Sequence, residues 1–279
     1  MSRLRVAAGV ALLAATLGGC TGGGAPAPRP TASASATVPA GPAAPGSPAT
    51  PGHPGAAASP APTQDLAADA LRLGVTEGPV TLLIALPGGD VQDAPAQVGA
   101  SHDGALPVTL DPAGIAGGVV GVDLASGGTL TAYPDGGLAV RDADGTLVGG
   151  LSAPTGGGRF TVVSPGRAEL RWTTTPAAPQ AVAFSLGTRG IVSATWGERE
   201  GGRSLAVVPT GWARDAGDAG RELVWAEVTA AQPEADTSGM RDQLTCHAIG
   251  ARDKASWNLE PWRPDVGLLA VMAARCNPS

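Results

Sequence analysis

The sequence predicts a mainly β protein: a β-sandwich or barrel-like body, a small α+β lobe at its C-terminal end, and a disordered tether in front. Three observations carry this. From Gly74 to the tail, helical periodicity is nearly absent, and short apolar or alternating runs are each bounded by Gly, Pro, Asp or Ser. That is the pattern of many short strands joined by tight turns. Thr21–Thr63 is almost wholly Ala, Pro, Gly, Ser and Thr, with nothing to bury. The aromatic content also changes along the chain: Tyr133, Phe160, Trp172 and Phe184 are thinly spread, whereas Trp196, Trp212, Trp225, Trp257 and Trp262 crowd the end.

The first segment, Met1–Gly19, carries Arg3 and Arg5 ahead of the apolar run Val6–Leu17. The run is shorter than the roughly 20 residues a spanning helix needs, and it has the charge and small-residue ending of a secretory signal. The ending Leu17-Gly18-Gly19-Cys20-Thr21 resembles the lipobox of bacterial lipoproteins. That resemblance implies acylation of Cys20 and an extracytoplasmic, lipid-anchored protein on the outer face of the membrane. Residues 20–63 then form the linker. Its prolines favour an extended chain that reaches on the order of 130 Å at about 3.1 Å per residue. The serines and threonines among them can accept O-linked sugars.

Gln64–Leu73 reads as a short helix capped by Thr63 and stopped by Gly74, with Leu66, Ala70 and Leu73 as its apolar stripe. Strands are expected at Val80–Leu86, Ala105–Leu110, Val119–Leu124, Thr129–Tyr133, Leu138–Arg141, Thr146–Leu151 and Arg159–Val163. They continue at Ala168–Thr174, Ala181–Leu186, Ile191–Trp196, Ser204–Val208 and Leu223–Thr229. Pro134-Asp135-Gly136-Gly137 and Asp142-Ala143-Asp144-Gly145 supply turn chemistry. About 215 residues remain for folding, enough for one large domain or two small ones. The aromatic shift divides them into a β-rich domain, 64–188, and a C-terminal lobe, 189–279; the alternative is one continuous sheet system with strands pairing across residue 188.

In the tail, Thr237 or Ser238 can cap a helix through Met240–Ile249, stopped by Gly250, with Met240, Leu244 and Ala248 on one face. Pro264 suits the first turn of a second helix, along which Val266, Leu269 and Met272 recur at i+3. Two antiparallel helices would bring Cys246 and Cys276 together. With Cys20 assigned to lipid, these are the remaining pair of three cysteines, and outside the cytoplasm a disulfide is the simplest use of them. It would close a loop of about 30 residues, worth roughly 3–4 kcal/mol in the chain-entropy account. A thiol–imidazole site of Cys246 and His247 is a poor alternative, because adjacent helical side chains diverge. A metal site would lack a fourth ligand.

Gln243, Cys246-His247, Lys254, the run Trp257-Asn258-Leu259-Glu260-Pro261-Trp262-Arg263-Pro264 and Cys276-Asn277-Pro278 resemble, in order and spacing, the domain-of-unknown-function 2599 family of exported actinobacterial proteins. The resemblance starts near Thr195-Trp196. It implies export and an uncharacterised role, and it carries no catalytic residues.

Trp257 and Trp262, with Glu260, Arg263 and the neighbouring His247, are the candidate binding residues. Flat aromatic faces beside a carboxylate and a guanidinium make a platform for a sugar or peptide. The alternative is that the tryptophans are the core of a small lobe, with Glu260 and Arg263 paired locally. Other constellations carry less. Ser101-His102-Asp103 has triad residue types, but consecutive side chains point apart. Asp142-x-Asp144-Gly145 opens like a calcium loop, but Ala153 stands where the bidentate Glu belongs. Asp215 and Asp218 lie in what reads as a glycine-rich loop. No cofactor motif is present, and no metal or catalytic set is assigned.

The chain carries a net charge of −6, which becomes more negative once Arg3 and Arg5 leave with the signal. That does not favour nucleic acid as a partner. The expected partners are the membrane through the anchor, and cell-wall polysaccharide, peptidoglycan or an envelope protein. The expected role is a non-catalytic binding or structural module. The alternative is a wall-active hydrolase using Glu260 and a nearby acid, which requires a carboxylate pair about 5–9.5 Å apart in a cleft.

Overall fold

A computed structural model describes residues 70–86, 95–173 and 180–279. The expected signal, Cys20, the tether and residues 64–69 of the first expected helix lie outside the described residues. Among the described residues eleven strands lie before residue 188: β1 Leu71–Glu77, β2 Val80–Leu86, β3 Ala96–Val98, β4 Ala105–Leu110, β5 Val119–Leu124, β6 Thr129–Ala132, β7 Leu138–Arg141, β8 Leu147–Leu151, β9 Arg159–Ser164, β10 Arg167–Arg171 and β11 Val182–Gly187. They form two antiparallel sheets, ordered β1-β2-β5-β10-β9 and β3-β4-β11-β8-β7-β6. Neither closes into a barrel. Alternation turns Leu82, Ile84, Val120, Val122 and Leu170 of the first sheet and Val108, Leu138, Val140, Val182 and Leu186 of the second into one shared core. Phe160 meets Phe184 across it edge to face, with ring centroids 5.3 Å apart.

The expected helix over Gln64–Leu73 is corrected at its end. Leu71, Leu73 and Val75 alternate with Arg72, Gly74 and Thr76, and β1 pairs with β2 from Leu71↔Leu86 to Glu77↔Val80. Gly74, taken as a helix stop, is a strand residue on the outward face.

The C-terminal lobe is a three-stranded antiparallel sheet ordered β12-β13-β14, built from β12 Ile191–Arg199, β13 Gly202–Pro209 and β14 Trp257–Leu259. Four helices accompany it: α1 Gly211–Asp215, α2 Gly217–Ala231, α3 Ser238–Gly250 and α4 Leu268–Ala273. A strand was expected at Leu223–Thr229. That run is instead the middle of α2, which buries Ala219, Leu223, Val224 and Val228 at helical spacing. Asp215 and Asp218 consequently lie on α1 and α2, not in a loop.

The expected second tail helix starts four residues after Pro264, at Leu268. Its expected apolar stripe is inverted: Val266, Leu269 and Met272 are exposed, Leu269 by 84 %, and Val271 is the buried residue. The helix turns the face that meets the disulfide inward. By contrast α3 has the expected cap, Thr237 accepting from the Met240 N–H, and it buries Met240 and Leu244.

The two regions are joined by the short strap Gly187–Gly190, which runs beneath α1 and α2. A Cβ on Gly187 would lie 2.2 Å from the Trp212 ring, so only glycine fits. The Trp212 indole N–H donates to Ser185 Oγ at 2.9 Å, and the Glu227 carboxylate accepts from the Gly190 and Ile191 N–H groups at 2.8 Å each. Hairpin tips of the β body also cap the helices of the lobe. Asp135 accepts from Asp218 N at 2.6 Å and Asp103 from Gly211 N at 3.3 Å. α2 lacks a side-chain cap from its own Ncap residue, so Asp135 serves the positive helix end.

Candidate functional site

β14 is an edge strand, and its outward backbone groups need partners. Two side chains one turn apart on α3 supply them. Gln243 donates to Glu260 O at 3.0 Å and accepts from Glu260 N at 2.8 Å, while His247 Nε2 meets Asn258 O at 3.2 Å. This bond makes Nε2 the protonated nitrogen. Burial, the Lys254 charge opposing it and the Asn258 carbonyl favouring it set the His247 pKa at about 4, so the ring is neutral at pH 7. Trp257 is fully buried in the lobe core. The Arg214 guanidinium lies 5.5 Å from its ring and donates to the carbonyls of Arg252, Lys254 and Ala255.

Cys246 and Cys276 are joined by a disulfide, both buried, with Cα atoms 5.5 Å apart. Beside it Arg263 is a buried hub. Its Nε donates to the Glu260 carboxylate, its Nη2 to Glu200 at 2.7 Å and its Nη1 to Pro278 O at 3.2 Å. Glu260 is 2 % exposed. Two carboxylates share one guanidinium here, and the hub ties the β12–β13 turn to the chain beyond α4. That turn, Glu200-Gly201, has both residues at positive φ, 52° and 85°, as a two-residue hairpin favours. Trp262 is 44 % exposed. It occupies the space a Cβ on Gly202 would take, 2.3 Å from the ring, and the Arg263 guanidinium lies 4.5 Å from its centroid.

The candidate residues are thus brought into one neighbourhood but not onto one surface. Trp257 and Leu259 face the core and Asn258 the other way. The strand ends at Leu259, and beyond Pro261 Trp262 comes to the surface. A two-tryptophan platform is corrected to a single exposed indole. Glu260, expected as a possible general acid, is sequestered by Arg263, and His247 is walled in with Nδ1 unpartnered. Ser101-His102-Asp103 is a turn in which Asp103 pairs with Arg189, and Asp142 closes its own turn on Asp144 N and Thr146 N. Among the described residues, no group of three or more His, Cys, Asp or Glu comes together to hold a metal ion, and no helix is long and apolar enough to cross a membrane. Sequence reasoning missed Glu200 as the second anion on Arg263, and it missed the Arg203 guanidinium 4.1 Å over the Trp196 ring. The hairpin pattern around Gly201-Gly202 was the available signal for both.

The family described as "Protein of unknown function (DUF2599)" matches residues 191–279, which hold the third sheet and all four helices. An uncharacterized protein of Mycobacterium tuberculosis strain H37Rv is 40 % identical over 122 residues, 41 % of this chain and 76 % of that protein. An uncharacterized protein of Mycobacterium bovis matches to the same extent. One of Mycobacterium leprae is 41 % identical over 58 residues, 19 % of this chain and 47 % of its own. No solved structure matches the chain.

Proposed function

The chain belongs to the DUF2599 family of proteins of unknown function, and from that premise we propose that it is a lipid-anchored, extracytoplasmic binding module of the cell envelope. In this reading Cys20 carries the lipid and the proline-rich linker holds the folded region off the membrane. The folded region then engages a wall polymer without chemical turnover. One observation carries the non-catalytic part: Glu260 and Arg263 bind each other in the interior, while Trp262 keeps 44 % of its surface in solvent. Glu260 in the hydrolase alternative would have to protonate a leaving oxygen, and a 2 % exposed carboxylate held by Arg263 cannot reach one. The Cys246–Cys276 bridge supports the oxidising location.

The test has two readouts. Full-length protein in a mycobacterial host, labelled with a fatty-acid analogue, is expected to carry label and sediment with membranes, and Cys20→Ser to lose both. In parallel, purified protein is expected to sediment with insoluble cell wall, and Trp262→Ala to lose that binding with an unchanged circular dichroism spectrum. Unlabelled wild type would refute the anchor. Unimpaired sedimentation of Trp262→Ala would refute the binding face.

A further inference from the structure

The sheet of the C-terminal lobe has a second face. Thr195↔Ala206↔Asn258 and Gly197↔Ser204 are in register across β12, β13 and β14, so alternation puts these five on one side. Trp196, Leu205, Val207 and Leu259 occupy the other side and pack into the core. On the outer side they enclose, with Ser256, an open hollow of about 390 Å³ that Glu198 and Arg199 also line, within the size range of small-ligand sites. Its floor is low because Gly197 has nothing within 4 Å of where a Cβ would stand.

The hollow is chemically unspent. Ser204 is only 5 % exposed, yet its hydroxyl has no hydrogen-bond partner. Such a group costs free energy unless something binds it. Hydroxyls of Thr195 and Ser256 and the amide of Asn258 add groups that both donate and accept, and the two charged residues of the lining, Glu198 and Arg199, are of opposite sign. Gly202 precedes Ser204 by two residues on the same face, and the Trp262 indole covers Gly202. By that spacing Gly202, with the ring over it, stands roughly 6.6 Å along the strand from Ser204 and just outside the residues that line the hollow, a spacing that suits one sugar ring.

Resting on the binding role proposed above, we infer that this face takes a neutral saccharide unit. The ligand stacks its C–H face on Trp262 and shares its hydroxyls with Thr195, Ser204, Ser256 and Asn258. A neutral, hydroxyl-rich ligand satisfies paired donors and acceptors, and a lining whose one acid and one base offset each other offers no net charge to hold an ionic ligand.

The experiment titrates the full chain with chitotetraose and an arabinose tetrasaccharide, following tryptophan fluorescence and the amide resonances of β12–β14. A heparin tetrasaccharide and an uncharged extended decapeptide serve as comparators. The expected result is saturable binding of a neutral saccharide, with amide shifts at Thr195, Ser204 and Asn258. Gly197→Val fills open space with a residue suited to strands and is expected to abolish binding. Ser204→Ala is expected to weaken it about tenfold while leaving thermal stability unchanged or raised, since the variant removes an unpaired buried hydroxyl. A purely structural Ser204 would leave affinity untouched, which overturns the proposal. So does binding of the peptide or heparin alone, or an absence of saccharide shifts into the millimolar range. If Trp262→Ala releases the protein from cell wall but Gly197→Val does not, the binding reading stands and the hollow is the wrong site. If wild type binds neither wall nor saccharide, both fall.

Discussion

The β body and the C-terminal lobe differ in what their interiors are made of. In the body, two sheets press Val, Leu and Ile together, and Glu169 is the only buried ionisable or polar side chain among its described residues. In the lobe, Ser204, Thr210, Gln243, His247, Glu260 and Arg263 are all buried, and a buried disulfide closes the tail. Two facing sheets remove enough apolar area from water to stand on that alone. A three-stranded sheet with one edge strand of three residues cannot, and small units compensate with cross-links and specific bonds. The body therefore spreads its stability over many equivalent contacts, and the lobe concentrates it in a few.

The same deletion made in both regions is the strongest way to break this comparison. Arg263→Ala leaves Glu260 buried without its counter-charge and is expected to cost about 3–5 kcal/mol. Arg72→Ala in the body removes an exposed ion pair with Asp123, of 2.8 Å, and is expected to cost about 0–1 kcal/mol. Denaturant titrations of both variants measure the difference, and equal costs would dissolve the distinction. The next effect is covalent. Replacing Cys246 and Cys276 by serine opens a loop of 30 residues and is expected to cost roughly 3–4 kcal/mol. Loss of the tryptophan signal should then precede loss of the β circular dichroism. Coincident transitions would mean that the two regions unfold as one.

Acid sharpens the comparison through His247. Its folded pKa of about 4 lies below the ordinary 6.5, so as pH falls through that window the unfolded chain takes up the proton first. Stability contributed by the neutral ring is present above about pH 6.5 and is lost progressively toward pH 4, in total on the order of 3 kcal/mol. Thermal melts between pH 7 and 4 are expected to show a shallower slope for His247→Gln, which keeps a donor for Asn258 O. An identical slope would remove His247 from the lobe's acid sensitivity.

Strands of the body were legible because their signals are local. Val80–Leu86, Ala105–Leu110, Val119–Leu124 and Leu138–Arg141 have the expected bounds, set by alternation and by the turn residues between them. α2 was not legible, for two physical reasons. Leu223–Thr229 is a short apolar run that fits a strand or a buried helix equally well. The helix start also takes its cap from Asp135, 83 residues away, so nothing at Ala216 announces it. The stripe of α4 was misjudged because the surface it meets is the disulfide, which helical spacing does not encode. In the tail, the spacing of Trp257 and Trp262 left core and platform open, and the fold answers differently for each. The Glu200–Arg263 pair spans 63 positions; the hairpin pattern around Gly201-Gly202 marks the turn that carries Glu200 but not the partner it meets.

The strap Gly187–Gly190 has a mechanical consequence. A linker of four residues between two folded regions ordinarily serves as a hinge. Here Trp212 is seated on Gly187, and Glu227 holds the strap's last amide and that of Ile191. Bending at that point would have to lift α1 and α2 off together. A pull applied at the Trp262 face would therefore reach the β sheets without slack, and the folded part would act as one lever.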